Sequence, residues 1–172
     1  MDFMDRINKY DKYLRDHIKA VNDSLKFIIS YVEKDYGFDV AKSIVKLCEK
    51  HDNSKYEVEE YFPYLNYFYP SDENDEDIVK QDFDVAWLHH QNCNPHHWQY
   101  WILRRDEGKE VVIDMPVKYI IEMLCDWHSF SRKDNNSTAY RWYYSNIDKI
   151  KISENTRKIV EKYIGFFKIP LK

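Results

Sequence analysis

The sequence has few of the residues that interrupt helices. Only three glycines and five prolines occur among its 172 residues, and these two residue types are the strongest local breaks in secondary structure. The segments between them repeat apolar residues at helical intervals, which predicts helices almost throughout. We therefore predict an all-α fold, a single-domain helical bundle over residues 1–172.

Cysteines and long apolar runs are also scarce. Cys48, Cys93 and Cys125 are odd in number and widely spaced, which argues against a disulfide framework and against a cysteine zinc knuckle. The longest apolar stretches, such as residues 27–29, are too short to cross a bilayer, and the N-terminus lacks a signal-peptide pattern. We expect reduced thiols in a cytoplasmic protein that does not insert into a membrane.

Charge of one sign is not concentrated anywhere in the chain. The formal net charge is -4, from 26 basic and 30 acidic residues that are mixed along the sequence. A polycationic surface for broad nucleic-acid binding is therefore not expected, whereas a small anionic substrate at a local site is compatible with this balance. The sequence carries no signal for an oligomeric state.

Most of the histidines lie in two short segments of the sequence. Five of the seven histidines lie in an adjacent His51-Asp52 pair or in residues 89–98, which read HHQNCNPHHW. Imidazole and carboxylate groups together suit a divalent transition metal, and a metal with an open coordination position can activate water for hydrolysis. A metal-dependent hydrolase is therefore the leading hypothesis.

Apolar periodicity places the first of these residues on two predicted helices. A long first helix carries His17 on an apolar stripe that extends from Phe3 to Val32. A second helix from about Asp39 brings His51 to the buried side of its C-terminal end. Both histidines are expected to face the interior.

The second histidine-rich segment is predicted to break a helix. A helix from Ile78 should continue through His90 and then stop, because Asn94 is a good N-cap and Pro95 fits the first position of a new helix. The two histidines that follow would lie in its first turn. The free amide groups of that turn would favour an anion such as phosphate.

A later helix, starting at residues 114–116, carries two acidic residues on an apolar face. Glu122 and Asp126 are one helical turn apart and share that face with aromatic side chains. Buried acids need a cation or a hydrogen-bond donor. A terminal amphipathic helix is expected to begin at Ser153.

The order of these residues resembles the His…His-Asp…Asp signature of the HD-domain superfamily of metal-dependent phosphohydrolases. His51 follows His17 by 34 residues, Asp126 follows Asp52 by 74, and residues 51–55, HDNSK, look like the HD-x-x-K form of the motif. The resemblance extends to about residue 130. It implies an HD-like metal-site core over about residues 3–130, with helices of residues 137–168 packing on it.

Two sequence blocks, at residues 89–98 and 115–127, also resemble a small family of uncharacterised bacterial and phage proteins. That resemblance implies a location in the cytoplasm of a bacterium, or of the host cell for a phage protein. It implies no reaction.

The HD resemblance implies one or two divalent metal ions. The implied ligands of the first ion are His17, His51, Asp52 and Asp126. Each falls on or beside an apolar stripe, where an unpaired polar group is costly, so a shared metal would give all of them a partner. Two-metal members use further histidines, for which His90 and His97 are the candidates. The ligand types fit Mn, Co, Ni, Fe, Zn and Mg alike.

Further residues are assigned to the reaction. Asp52 would help to position the metal-activated water, and Lys55 would contact the phosphate or the leaving group. Glu122 would act as a general base or accept a hydrogen bond from a ligand histidine. His96 and Trp98 are candidates for substrate contacts.

Several of these residues have plain structural alternatives. Lys55 would then be a solvated surface lysine, and Glu122 would form a helix-surface pair with Lys118. His90 and His97 would hydrogen-bond backbone carbonyls around a helix break.

The sequence thus predicts hydrolysis of a phosphate ester in a nucleotide or a nucleotide-derived small molecule by metal-activated water. The nucleotide is favoured by family analogy and by nearby aromatic residues. One alternative is a phosphodiesterase of cyclic or linear oligonucleotides, although PHHW at residues 95–98 stands where HD-GYP phosphodiesterases have a Gly-Tyr-Pro segment. The other is a non-catalytic binding or interaction protein with a structural metal.

Overall fold

Helices make up most of the chain in a computed structural model that describes residues 2–72 and 74–172. The α-helices in this part of the chain are α1 (Phe3–Leu25), α2 (Ile29–Tyr36), α3 (Phe38–Glu49), α4 (Val58–Phe68), α5 (Glu76–Cys93), α6 (Val117–Ser129), α7 (Ala139–Asn146) and α8 (Glu154–Ile164). Strands β1 (Ile102–Arg104) and β2 (Glu110–Val112) form a small antiparallel hairpin. The prediction of an all-α fold is confirmed. Among the described helices, none combines the length and apolar character that a membrane crossing requires.

The chain divides into two compact units. Unit 1 comprises Met1–Asp16 and Asp52–Asn94, and unit 2 comprises His17–His51 and Pro95–Lys172. Helix α1 therefore contributes its first part to unit 1 and its second part to unit 2.

The core of unit 1 lies where α4 packs on α5. It contains five buried apolar side chains, which are Tyr10, Leu14, Tyr64, Leu65 and Ala86. The rings of Tyr67 and Phe83 stack at a centroid distance of 3.9 Å and extend the contact between the two helices. Hydrogen bonds from Arg6 to the backbone oxygen of Tyr69 and to the side chain of Asn66, both at 2.6 Å, hold the start of α1 to the end of α4.

Helix α6 is the centre of unit 2. Nine of its 13 residues are buried, and α3, α7 and α8 all pack on it. The buried side chains include Ile120, Ile121 and Leu124, each with no exposed surface. Because α6 is surrounded by apolar contacts, its polar side chains are held in fixed positions.

The first helix is shorter than the sequence predicts. Helix α1 ends at Leu25 and α2 begins at Ile29, so the prediction of one continuous helix that ends near Gly37 is wrong. Backbone bonds of the tighter i to i+3 type, such as Phe27 N–H to Ser24 O at 3.1 Å, form the turn between them. Leu25 and Val32 both lie in the unit 2 core. The spacing of apolar residues therefore continues across the break between α1 and α2, and it does not reveal the break.

The expectation of a new α-helix at Pro95 is also wrong. Helix α5 ends at Asn94, whose backbone N–H and side-chain amide both donate to the carbonyl of His90, at 3.1 and 2.9 Å, because Pro95 has no N–H with which to continue the helix. Residues 95–97 form a turn that is closed by the Trp101 indole, which donates to the Pro95 carbonyl at 2.8 Å. A four-residue 3-10 helix, Trp98–Trp101, follows. The predicted anion site at a helix N-terminus is therefore not formed.

Candidate metal centre

Three polar residues of α6 face the same side of the helix. Glu122, Asp126 and Ser129 follow each other at i, i+4 and i+7, so their side chains stack along one face. They are 4%, 9% and 3% exposed. Buried carboxylates in such a place need donors or a cation.

Histidines from three other segments of unit 2 contact this face through Nδ1. The Nδ1 atoms of His51 and His96 lie 3.0 and 3.4 Å from Glu122 Oε1. The Nδ1 atom of His17 lies 3.1 Å from Ser129 Oγ. For His51 and His96 the partner is a carboxylate, an acceptor that favours the tautomer with the proton on Nδ1 and leaves the Nε2 lone pair able to bind a metal. The Ser129 hydroxyl can either donate to or accept from His17 Nδ1.

The Nε2 atoms of His17 and His51 lie close to the second buried carboxylate of α6, that of Asp126. Asp126 Oδ1 lies 3.2 Å from His17 Nε2 and 3.4 Å from His51 Nε2. His51, His96 and Asp126 each offer one ligand atom, and these atoms all lie within 4.8 Å of one another. A tetrahedral ion with bonds of about 2.1 Å separates its ligand atoms by about 3.4 Å, so the spacing suits an ion between them.

Both carboxylates of α6 are ionised at neutral pH. Burial raises the pKa of Glu122, but the hydrogen bonds from His51 and His96 outweigh it and lower that pKa to about 2. Burial likewise raises the pKa of Asp126, and its contacts with the imidazoles of His17 and His51 bring it well below its usual range. Two negative charges among three imidazoles make this a favourable place for a divalent cation.

The neighbouring aromatic side chains pack beside the cluster. The His96 ring lies 4.3 Å from the His51 ring and 4.4 Å from the half-buried His97 ring, between centroids. Trp98 is half-buried and packs on the core of unit 2. The metal role of His97 and the substrate contact of Trp98 stay predictions.

Unit 1 contains its own buried polar cluster, centred on Glu60. Glu60 Oε1 lies 2.8 Å from His89 Nδ1, and Glu60 Oε2 lies 2.7 Å from His90 Nδ1. Ser54 Oγ donates to Glu60 Oε2 at 3.0 Å. The other ring nitrogen of His90, Nε2, lies 3.4 Å from Asp52 Oδ1.

Lys55 belongs to the same cluster. Its ammonium donates to Asp52 Oδ2 at 2.7 Å and lies 5.3 Å from the centroid of the Tyr64 ring. Lys55 is 8% exposed and Glu122 is 4% exposed. The alternatives that made Lys55 a solvated lysine and Glu122 a helix-surface partner of Lys118 are therefore wrong.

Asp52 has an unusual backbone conformation. With φ 56° and ψ 25°, it is the one non-glycine residue in the described part of the chain with a positive φ. Asp and Asn tolerate this left-handed region better than most residues. The carbonyl of Asp52 accepts a hydrogen bond from Lys55 N–H at 2.9 Å, at the start of the 3-10 helix Asn53–Tyr56.

Two residues of these clusters have no part in the sequence-based prediction. Ser129 has no signal of its own, since a serine near a helix end is common. Glu60 does have one: it precedes Tyr64 by one helical turn on the buried side of α4. An acidic residue on an apolar helix face indicates a buried partner.

Comparison with known proteins identifies a family whose function is unknown. A model of the family DUF5662, described as a family of unknown function, matches residues 6–165. No curated protein and no solved structure matches the chain. The matched range includes every residue of the two polar clusters.

Proposed function

Because the chain belongs to DUF5662, a family of unknown function, we propose its function from the site: a metal-dependent phosphohydrolase that acts on a nucleotide or a nucleotide-derived phosphate ester. One observation carries the metal part of this proposal. His51, His96 and Asp126 are buried with their ligand atoms within 4.8 Å of one another.

The orientation of the imidazoles supports a metal rather than a purely hydrogen-bonded cluster. Histidines that bind metals usually donate their other ring N–H to a carboxylate or another oxygen. In unit 2, Glu122 is placed for that role beside His51 and His96, and the Ser129 hydroxyl lies 3.1 Å from His17 Nδ1. Asp126 thus has the imidazoles of His51 and His96 within reach of a shared ion, and His17 Nε2 lies 3.2 Å from Asp126 Oδ1.

A divalent ion at this site would act as a Lewis acid and supply an activated water for attack on phosphorus. His17, His51, His96 and Asp126 would hold it. Glu122 would keep two imidazoles in the ligand tautomer, which favours the acceptor role over the general-base role. His96 thereby moves from a proposed substrate contact to a proposed ligand.

The remaining roles come from the HD resemblance. It adds Asp52 to the ligands, His90 and His97 to those of a second ion, and Lys55 as a phosphate contact. A nucleotide as substrate, a cytoplasmic location and HD membership itself also stay predictions. The free state of the three cysteines agrees with a reducing compartment.

The proposal predicts that purified protein holds about one equivalent or more of a divalent metal. Asp126→Asn should weaken metal binding on the order of 100-fold, because it removes a charged ligand while keeping the side-chain shape. Elemental analysis after dialysis against Mn²⁺, Co²⁺, Ni²⁺, Zn²⁺ or Fe²⁺ measures this. The matched control is Asp148→Asn, which changes an exposed residue of unit 2.

Activity is measured with the same samples on nucleoside monophosphates, nucleoside triphosphates and cyclic dinucleotides. Turnover of the mononucleotides that depends on metal and on Asp126 is the expected result, and cleavage of the dinucleotides alone would favour the phosphodiesterase. Native protein that takes up none of the metals would overturn the proposal. Metal without turnover, together with loss of the fold on chelation, would replace the enzyme by the structural clamp.

A further inference from the structure

We propose that Glu60 is a positioning residue, which sets the tautomers of His89 and His90 and thereby directs His90 Nε2 towards Asp52 as a cation-binding pair. All of these residues belong to unit 1. Glu60 has no exposed surface, so water does not compete for its carboxylate.

The carboxylate of Glu60 can only accept hydrogen bonds when it is ionised. Glu60 holds His89 Nδ1 at 2.8 Å and His90 Nδ1 at 2.7 Å, one on each carboxylate oxygen. An ionised carboxylate has no proton to give, so each neutral imidazole must donate from Nδ1. Ser54 Oγ also donates to Glu60 Oε2 at 3.0 Å, which adds a third donor around the carboxylate.

The other side of the His90 ring faces Asp52. With the proton on Nδ1, the Nε2 atom presents a lone pair to Asp52 Oδ1, which lies 3.4 Å away. Two electron-rich atoms face each other at this distance favourably only when a proton or a cation lies between them. A proton shared by the two atoms meets this condition, and a cation that displaces it would find His90 Nε2 and Asp52 Oδ1 already in place as a pair of ligand atoms.

The contact of His89 with Cys93 fits the same tautomer. Cys93 follows His89 by one turn of α5, and its Sγ lies 3.5 Å from His89 Nε2 and 3.8 Å from His89 Nδ1. With Nδ1 donating to Glu60, the nearer nitrogen is the one able to accept from the thiol. The Cys93 contact is therefore compatible with a proton on Nδ1 of His89.

This inference rests on the proposed metal-dependent function only in treating Asp52 and His90 as cation ligands. The tautomers themselves are a property of unit 1, whatever reaction the protein performs. They can be measured in metal-free protein.

Glu60→Gln tests the positioning role. The glutamine side chain has one acceptor end and one donor end, so at least one of the two histidines must receive a hydrogen bond at Nδ1 and carry its proton on Nε2. Long-range ¹H–¹⁵N NMR spectra of histidine-labelled, metal-free protein at alkaline pH distinguish the two tautomers. A purely space-filling role would leave them unchanged.

The expected spectra have both His89 and His90 as the Nδ1–H form in the wild type, with at least one of them converted in Glu60→Gln. The control is Glu59→Gln, an exposed neighbour on α4, which should leave both unchanged. A wild-type His90 that carries its proton on Nε2 contradicts the proposal, and so does a folded Glu60→Gln protein with unchanged tautomers. The wild-type spectrum decides the question even where Glu60→Gln does not fold.

Titration with Co²⁺ alone, followed by its visible absorption, tests the consequence for binding. Glu60→Gln should weaken Co²⁺ binding about tenfold or more, and Glu59→Gln should not. Equal Co²⁺ affinity in Glu60→Gln and in the wild type would overturn the cation-binding role of the pair. Absence of Co²⁺ binding in every protein, with the expected tautomers present, would remove the proposed function and the cation pair but not the positioning by Glu60.

Discussion

Asp23 shows how a single side chain of unit 2 responds to its neighbours. It accepts hydrogen bonds from Lys19 at 2.6 Å, from Lys26 at 2.7 Å and from Arg132. Burial raises the pKa of Asp23, but these three cations outweigh it and hold the pKa well below its ordinary value of 3.8. The carboxylate is therefore more acidic in the folded protein than in the unfolded chain.

Asp23→Asn should lower the free energy of unfolding at neutral pH by about 1 kcal/mol, as expected for a charge network at a partly exposed site. Because the folded pKa is depressed, this stabilisation is fully present above the unfolded pKa and is lost as the pH falls towards the folded value. Urea denaturation at pH values of about 7 and about 2 checks both statements. A difference from the wild type that is as large in acid as at neutral pH, or one that Asp148→Asn reproduces, would count against this role.

The sequence identifies some residues of the unit 2 cluster and not others, for physical reasons. Asp126 and Glu122 are identifiable because an acidic residue on an apolar helix face needs a partner, and His17 because it interrupts an apolar stripe. His96 and His97 are not distinguishable, because consecutive residues in a turn have no period that separates inside from outside. The hydrogen bond between Ser129 and His17 joins residues 112 positions apart and leaves no trace in local sequence.

The start of α8 is an element whose formation depends on a side chain. Ser153 is its N-cap, and its Oγ accepts a hydrogen bond from the Thr156 N–H at 3.1 Å. Thr156 Oγ1 in turn accepts from the Met115 N–H at 2.9 Å, just before α6. The cap thus helps to hold two packed helices of unit 2.

Ser153→Ala should lower the free energy of unfolding by about 1 kcal/mol, because the first turn of α8 loses its side-chain acceptor. The shift of the urea midpoint measures the change. Ser145→Ala, at an exposed position inside α7, should have little effect. A loss of the same size in both variants would mean that capping does not stabilise α8.

The helices themselves, including the end of α5 after His90, are predictable because their apolar periods are regular, and the structure that follows Asn94 is not. An Asn-Pro step fits the end of one helix as well as the start of the next. The choice is made by the Asn94 amide, which donates to Ser54 Oγ at 2.8 Å as well as to the His90 carbonyl. The structure after Asn94 therefore depends on a contact between residues 40 positions apart, and such a contact cannot be predicted from the local sequence.

For the whole molecule, the proposed ion would act as a cross-link within unit 2. Its proposed ligands come from α1, from the turn after α3, from the turn of residues 95–97 and from α6. Binding to the folded state alone should raise stability by about 2.7 kcal/mol when the free ion is at 100 times its dissociation constant.

Thermal unfolding with and without a chelator measures this linkage. The wild type should unfold at a lower temperature after chelation, and Asp126→Asn should show little difference between the two conditions. An unfolding temperature of the wild type that is the same with and without metal would show that the ion does not bind preferentially to the folded chain.

The division into two units is the aspect of the whole molecule that the sequence does not indicate. Each unit is built from two separate segments of the chain, and the change from one to the other occurs within α1, between His51 and Asp52, and between Asn94 and Pro95. No linker composition accompanies these points, because two of them fall inside the histidine-containing motifs and one inside a helix. The all-α class was accessible from composition and period alone.

The left-handed conformation of Asp52 has a consequence for how this family can evolve. A site with φ 56° favours Asp, Asn and Gly over other residues. Mutation of the aspartate codon can therefore give an Asn or a Gly that keeps the turn and loses the carboxylate. We expect relatives with His-Asn or His-Gly at this step to retain the fold while they lose the carboxylate that the proposed function assigns to Asp52.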